Sequence, residues 1–146
     1  MTAASPPRIL VVEDDPDDAL FLKRAFAKAG VPGFNLVLPD GQEAIAYLSG
    51  HGKYGDREAF PLPSHLLLDL KLPKVSGFEV LRWLRSSVGL RALPVAILSS
   101  SGEAADRENA QVLGIDAYYM KPSRSEDLLH LVQEIARLWR LPLLQA

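Results

Sequence analysis

The segment His65-Leu66-Leu67-Leu68-Asp69-Leu70-Lys71-Leu72-Pro73 constrains the architecture of the chain more than any other. Three leucines run straight into an aspartate, and the chain then turns at Pro73. An apolar run this short, bounded by loop signals, reads as a strand buried on both faces of a parallel sheet. Its carboxylate falls where the buried run meets water. In open α/β sheets that carboxyl edge is where ligands bind. Asp69 is therefore the first candidate site residue. A lone Asp more often just ends a strand in solvent, so the rest of the chain decides.

The same pattern recurs. Arg8-Ile9-Leu10-Val11-Val12 is a β-branched apolar run that ends in Glu13-Asp14-Asp15. Pro16 suits the first turn of a following helix, and Asp17 and Asp18 suit its positive end. Apolar residues from Ala19 to Ala29 then recur at helical spacing, and Gly30 stops the helix. Phe34 to Leu38 is a short second strand. Asp40 and Glu43 have capping-box spacing and open a helix through Leu48, closed by Ser49-Gly50. His51 to Ser64 holds glycines and prolines without periodicity and reads as a loop. After the third strand, Ser76 and Glu79 form another capping box before Val80, Leu81, Trp83 and Leu84. Pro94 to Leu98 is a fourth strand, followed by Ser99-Ser100-Ser101. Ser100 and Glu103 have capping-box spacing for a helix to about Leu113. Ala117 to Met120 is a fifth strand, and Ser123 with Glu126 has the same spacing before a last helix to about Trp139. Five strands alternating with five helices predict a flavodoxin-like, doubly wound α/β fold with strand order 2-1-3-4-5.

Composition narrows the function. One domain is expected from 146 residues. A formal charge of −2 with both signs dispersed argues against a nucleic-acid-binding surface. The sequence has no cysteine, which removes disulfides and thiol chemistry, and its three histidines are scattered rather than clustered as zinc ligands. Met1 to Pro7 lacks the features of a signal peptide, and no apolar run could span a bilayer. The expectation is a cytoplasmic protein without membrane association, with residues 1–7 disordered, a domain over 8–140 and a short tail over 141–146.

In the 2-1-3-4-5 order, strands one, three, four and five are neighbours. Their carboxyl ends carry Glu13 and Asp14, Asp69, Ser99 and Lys121, which all fall on one rim. Crowded carboxylates repel unless a cation intervenes. A hard divalent ion taking oxygen ligands, Mg²⁺ above all, fits them. Such an ion beside a nucleophilic carboxylate, a lysine and a hydroxyl makes a site for phosphoryl transfer. The carboxylate would then carry an aspartyl phosphate. Taken singly, Ser99 could belong to a capping cluster and Lys121 to the solvated surface. Four strand ends bearing this set together favour a site.

These motifs resemble those of response-regulator receiver domains of two-component signalling, over roughly Arg8 to Arg140. They are Val11-Val12-Glu13-Asp14, Leu68 through Pro73 with Gly77, Pro94 through Ser99, Gly114 through Tyr118, and Lys121-Pro122. The resemblance implies Asp69 as phosphoacceptor, Asp14 as a direct Mg²⁺ ligand, Glu13 as a ligand through water, and the backbone carbonyl of Lys71 as a further ligand. It implies Ser99 and Lys121 as contacts to the phosphoryl group, Tyr118 as an aromatic switch, and a cis Lys121–Pro122 peptide. The long loop from Gly50 to Ser64, the Leu-Pro-Lys turn and the serine run are similar to single-domain regulators paired with phytochrome-type kinases. The implied partner is a sensor histidine kinase. With the chain ending soon after the fifth helix, output is expected through a partner or self-association. The surface formed by the fourth helix, fifth strand and fifth helix is implied for that role. The last helix is broadly apolar, with Leu128, Leu129, Leu131, Val132, Ile135, Leu138 and Trp139, and a homodimer through that region is an expectation.

Other functions compete with this one. A haloacid-dehalogenase-type phosphatase also uses a strand-end aspartate, but needs a second Asp where Lys71 stands. A flavin carrier needs a hydroxyl-rich phosphate loop where Glu13-Asp14-Asp15 stands. A receiver-like scaffold that is never phosphorylated stays open.

Overall fold

The short apolar runs become five parallel strands, β1 (Ile9–Val12), β2 (Phe34–Leu38), β3 (His65–Leu68), β4 (Val95–Ser99) and β5 (Ala117–Met120). In the sheet they lie in the order β2-β1-β3-β4-β5, as predicted. Five helices connect and cover them: α1 (Pro16–Lys28), α2 (Gly41–Ser49), α3 (Gly77–Ser86), α4 (Ala104–Val112) and α5 (Ser125–Leu138). The computed structural model describes residues 7–32 and 34–144, so the expectation of a disordered start falls almost wholly outside the described residues.

The two-sided burial of the strands sets the layering. Alternate residues of a strand point to opposite faces. Ile9, Val11, Leu67, Ala96 and Leu98 pack with Phe26 of α1 and Val132 and Ile135 of α5. Leu10, Val12, Leu66, Leu68 and Ile97 pack with Leu48 of α2, Leu81 of α3 and Ala110 of α4. Leu66, Leu68 and Ile97 have no exposed surface at all. A one-residue register slip would exchange both faces of a strand, so the two cores pin the alignment of every strand end. That alignment brings the strand-end residues together. Val11 pairs with Leu67 and Val12 with Leu68, which sets Glu13 beside Asp69.

Local signals account for most helix starts. Asp15 caps α1, accepting from the N–H groups of Asp17 and Asp18, with Pro16 at the first helical position. Asp40 accepts from Glu43 N and Ser76 Oγ from Glu79 N, so two predicted capping boxes supply their N-caps. Gly50 ends α2 in the left-handed conformation, at φ 74°. Two predicted starts are corrected. Helix α4 begins after Glu103, with no side-chain cap, rather than at Ser100. Ser101 takes over locally: its Oγ accepts from Glu103 N and donates to Asp106. Helix α5 begins after Arg124 rather than Ser123, and Glu126 pairs with Arg124 instead of closing a box.

The long loop after α2 is built rather than formless. It contains a 3₁₀ turn, Gly52–Gly55, and its aromatic rings close on one another. Tyr54 lies 5.0 Å from Tyr47 and 5.1 Å from Phe60 between ring centroids. Arg57 donates to the Tyr47 and Leu48 carbonyls at the end of α2, satisfying acceptors that the helix leaves open. The apolar excess of α5 is largely used inside the molecule. Leu128, Leu131, Val132 and Ile135 are buried, and Trp139 Nε1 donates to Asp116 at 2.8 Å. Leu141 packs under the same core, while Leu138, Leu143 and Leu144 stay exposed.

Candidate functional site

The carboxyl edge of the sheet gathers the predicted residues around one ammonium group. Asp69 follows β3 directly, and its N–H donates to the Val12 carbonyl of the neighbouring strand at 3.2 Å. Glu13 follows β1, and its N–H donates to Leu38 of β2 at 2.9 Å. Sheet-type bonding thus continues one residue beyond each strand and fixes both backbones. The two side chains end up almost fully buried, each residue at 3 % exposure. Such burial of carboxylates is costly without a partner. The partner is Lys121, whose Nζ lies 2.6 Å from Glu13 Oε1 and 2.8 Å from Asp69 Oδ2.

Lys121 is held in turn by its backbone, whose N–H donates to the Ser99 carbonyl at 2.8 Å. The expected cis bond before Pro122 is corrected, because the described residues contain no cis peptide. A trans connection already delivers the four-carbon arm of Lys121 to both carboxylates, so the sharper turn is not required, and trans is the favoured isomer. Asp18, in the first turn of α1, is a further partner at 3.3 Å that the sequence suggested only as a helix-end charge.

The electrostatics follow from this packing. Burial pushes the Glu13 carboxyl above its ordinary value, and the hydrogen bonds from Lys121 and Asp15 N–H offset this only in part. Burial alone would favour the neutral amine of Lys121, yet the hydrogen bonds to Asp69 and Glu13 outweigh it and raise its pKa. The ammonium therefore stays charged at neutral pH.

Asp14 completes the acidic group and is exposed. Oxygen atoms of Glu13, Asp14 and Asp69 all lie within 4.8 Å of one another. Two buried carboxylates and one exposed carboxylate at this spacing are the donor set that a hard divalent cation takes. Lys71 donates its N–H to Asp69 Oδ1 at 3.1 Å, which fixes the turn whose carbonyl is the further candidate ligand.

The hydroxyl side of the rim is equally ordered. Ser99 ends β4 with no exposed surface, and its Oγ accepts from Ser101 N–H at 3.3 Å. Tyr118, half-buried in β5, donates its hydroxyl to the Ser101 carbonyl at 2.8 Å. The Arg107 guanidinium of α4 lies 5.1 Å from the Tyr118 ring centroid. Gly77 packs its α-carbon against the turn that follows β3. A Cβ there would come within 2.6 Å of Leu70 Cα, so only glycine lets α3 approach this closely. Two contributors escaped the sequence reading altogether. Asp106 of α4 accepts from Ser101 Oγ at 2.5 Å and pairs with Lys71 Nζ at 3.4 Å. No motif marks it. Arg107, one residue on, is equally silent in the sequence.

Known proteins are similar to this chain in sequence and in fold. The response regulator receiver domain family matches residues 9–133. The probable methanogenesis regulatory protein FilR2 of Methanothrix harundinacea is 40 % identical over 139 residues, covering 95 % of this chain and 87 % of that protein. The response regulator Rcp1 of Synechocystis is 33 % identical over 137 residues, covering 93 % of this chain and 91 % of that one. The crystal structure of its Mn²⁺-bound form superposes with a TM-score of 0.83 at 32 % identity, covering 96 % of this chain and 100 % of that one. The phosphorylated cyanobacterial phytochrome response regulator RcpA gives 0.86 at 32 % identity, covering 97 % and 100 %. The sheet order, the match over most of the chain and these relatives agree: the chain belongs to the response regulator receiver domain family.

Proposed function

We propose that the chain is a phosphorelay receiver in which Asp69 accepts a phosphoryl group from the histidine of a sensor kinase. The single observation that carries this is the convergence of Asp69, Glu13 and Lys121 within hydrogen-bond distance beside Asp14 and the buried Ser99. In the transfer, an Asp69 carboxylate oxygen forms the new O–P bond as the N–P bond of phosphohistidine breaks, and the imidazole keeps the electron pair. Lys121 is placed to donate to the transferred oxygens, and Ser99 Oγ to receive one of them as a donor. Asp14, Asp69 and the Lys71 carbonyl would hold Mg²⁺ directly and Glu13 through water. When bound, the ion neutralises charge that builds on the transferring phosphoryl group. The chain acts on no other substrate in this reading.

A docking surface for the kinase is proposed beside Lys121. A groove of about 310 Å³ between α1 and the start of α5 is lined by Phe21, Asp18, Lys121 and Pro122, and opens on Glu13. A kinase helix carrying the phosphohistidine would dock there. The relatives include a phytochrome response regulator, so a phytochrome-type kinase is the partner proposed, in the cytoplasm.

The switch proposed runs through Ser101. Turning Ser99 Oγ towards the phosphoryl group gives up the bond from Ser101 N–H, and the Ser101 carbonyl also holds Tyr118. Tyr118 would then turn inward, reshaping the surface of α4, β5 and α5 for a partner or for self-association. Sedimentation with and without a phosphoryl analogue tests the latter. The reading as a whole is tested with acetyl phosphate and Mg²⁺. Intact mass should rise by one phosphoryl group, and Asp69→Ala should abolish the rise. No gain from acetyl phosphate or from a panel of kinases would support a scaffold instead.

A further inference from the structure

Lys71 carries an ammonium on the residue whose backbone touches the acceptor. Its N–H donates to Asp69 Oδ1 at 3.1 Å, and its side chain is 56 % exposed. A lysine arm reaches about 6 Å from its Cα, by the standard lengths of its bonds. From that backbone position Nζ can reach the Glu13, Asp14 and Asp69 cluster. Among the described residues, Lys121 is the cation paired with those acids, so the field there attracts a second cation. A lysine in that position would compete with a divalent ion. Yet Lys71 Nζ lies on Asp106, across the rim on α4.

Asp106 is suited to hold it. Its side chain is only 13 % exposed, and Ser101 Oγ donates to the same Oδ2 that faces Lys71. The carboxylate is therefore already fixed before Lys71 arrives, which removes part of the ordering cost that weakens most exposed pairs. That hydrogen bond, with the lysine, holds the Asp106 carboxyl below its ordinary range, so it is an anion throughout the neutral region.

We propose that Asp106 is a positioning residue that parks the Lys71 ammonium away from Glu13, Asp14 and Asp69 and so keeps their divalent-ion position open. The role rests on the metal reading given above. It predicts how Asp106 acts: through Lys71 and by charge, without touching the ion.

The test is calorimetric titration of the full chain with Mg²⁺. Asp106→Asn keeps the shape and a hydrogen-bond acceptor for Ser101 while releasing Lys71. A unit charge brought to about 6 Å from a divalent ion in a water-like dielectric shifts affinity by up to about tenfold. Because the freed arm is mobile, the expected loss is about three- to tenfold at low ionic strength, shrinking as salt is added. In a Lys71→Met background, where the backbone carbonyl is kept, Asp106→Asn should change affinity by less than about twofold. An unchanged affinity in D106N would overturn the proposal. So would a loss of equal size in both backgrounds, which would mean that Asp106 acts through the fold. Circular dichroism melting of each variant separates that outcome from unfolding. If the unaltered chain takes up no Mg²⁺, the metal reading itself fails and this role falls with it.

Discussion

Lys121 is the residue whose loss should be felt most, and its effect can be worked from the site. Lys121→Met keeps most of the side-chain volume and deletes the ammonium. Glu13 and Asp69, each 3 % exposed, are then left beside each other with no counter-charge. Removing one partner of a buried ion pair typically costs about 3–5 kcal/mol. Lys121 itself retains 18 % side-chain exposure, so water softens the loss and the lower end applies, about 3 kcal/mol at neutral pH. The Asp18 contact adds little, because that side chain is 42 % exposed. For a domain of this size about 3 kcal/mol lowers the melting temperature by roughly 10 °C and the urea midpoint by about 1.5–2 M.

The pH dependence separates this cause from lost packing. In the native chain the Lys121 pKa is raised, so its contribution is complete below the ordinary lysine value and is lost only as pH rises through the folded value. Between about pH 5 and 8 that contribution is flat. Glu13 in the variant behaves oppositely to a paired carboxylate. Burial already pushes its pKa up, and without Lys121 it binds a proton more readily still, so folding takes up protons. Stability of the variant is therefore greatest at low pH and declines as pH rises through the folded pKa of Glu13. Urea unfolding at about pH 5, 6, 7 and 8 should show the gap to the native chain widening with pH. A cost below about 0.5 kcal/mol, or one that does not change with pH, would refute the argument that Lys121 offsets buried charge.

Three further outcomes follow from the same geometry. Gly77→Ala should destabilise by about 3 kcal/mol or more by urea unfolding, since the new methyl meets Leu70 Cα and the Asp69 carbonyl and would displace the turn after β3. Arg85→Met should cost about 2–3 kcal/mol in the same assay, because Arg85 donates to the carbonyls of Arg91, Leu93, Leu113 and Gly114 and ties α3 to the loops on either side of β4 and α4. Glu13→Gln should stabilise the chain at neutral pH, as read by urea unfolding, while lowering uptake of the phosphoryl group from acetyl phosphate. The raised pKa means that ionised Glu13 opposes folding above its folded value, and the gain should vanish below the ordinary carboxylate range.

What could be read in the sequence, and what could not, divides along one physical line. Strand ends were legible because a run such as Leu66-Leu67-Leu68 stops being apolar where the sheet ends, so Asp69, Glu13 and Ser99 announce themselves by position. The order of the strands then brings them together, since crossover handedness leaves few alternatives. Caps at Asp40 and Ser76 were legible for the same local reason. The starts of α4 and α5 were misplaced because a serine at capping distance from a glutamate does not say which other acceptor competes for it. Ser101, drawn to Asp106, moves the beginning of α4, and the sequence gives no sign of that competition. Residues that work through distant main-chain carbonyls, as Arg85 does across 28 residues to Leu113, leave no pattern at all.

The site contains the clearest case. Glu13, Asp14 and Asp69 stand out because they violate the rule that the buried edge of a sheet should not collect like charges. Nothing about stability asks for them, and Glu13 works against it. A cluster that carries an electrostatic cost is what the proposed cation and phosphoryl chemistry would need. Asp106 violates no rule, because an acid in the first turn of a helix is what the helix dipole favours. Its tie to Lys71 is visible only once the fold has brought α4 across the rim to the turn after β3. Functional residues that break a local rule are thus readable before folding, and those that obey one become readable only through their neighbours.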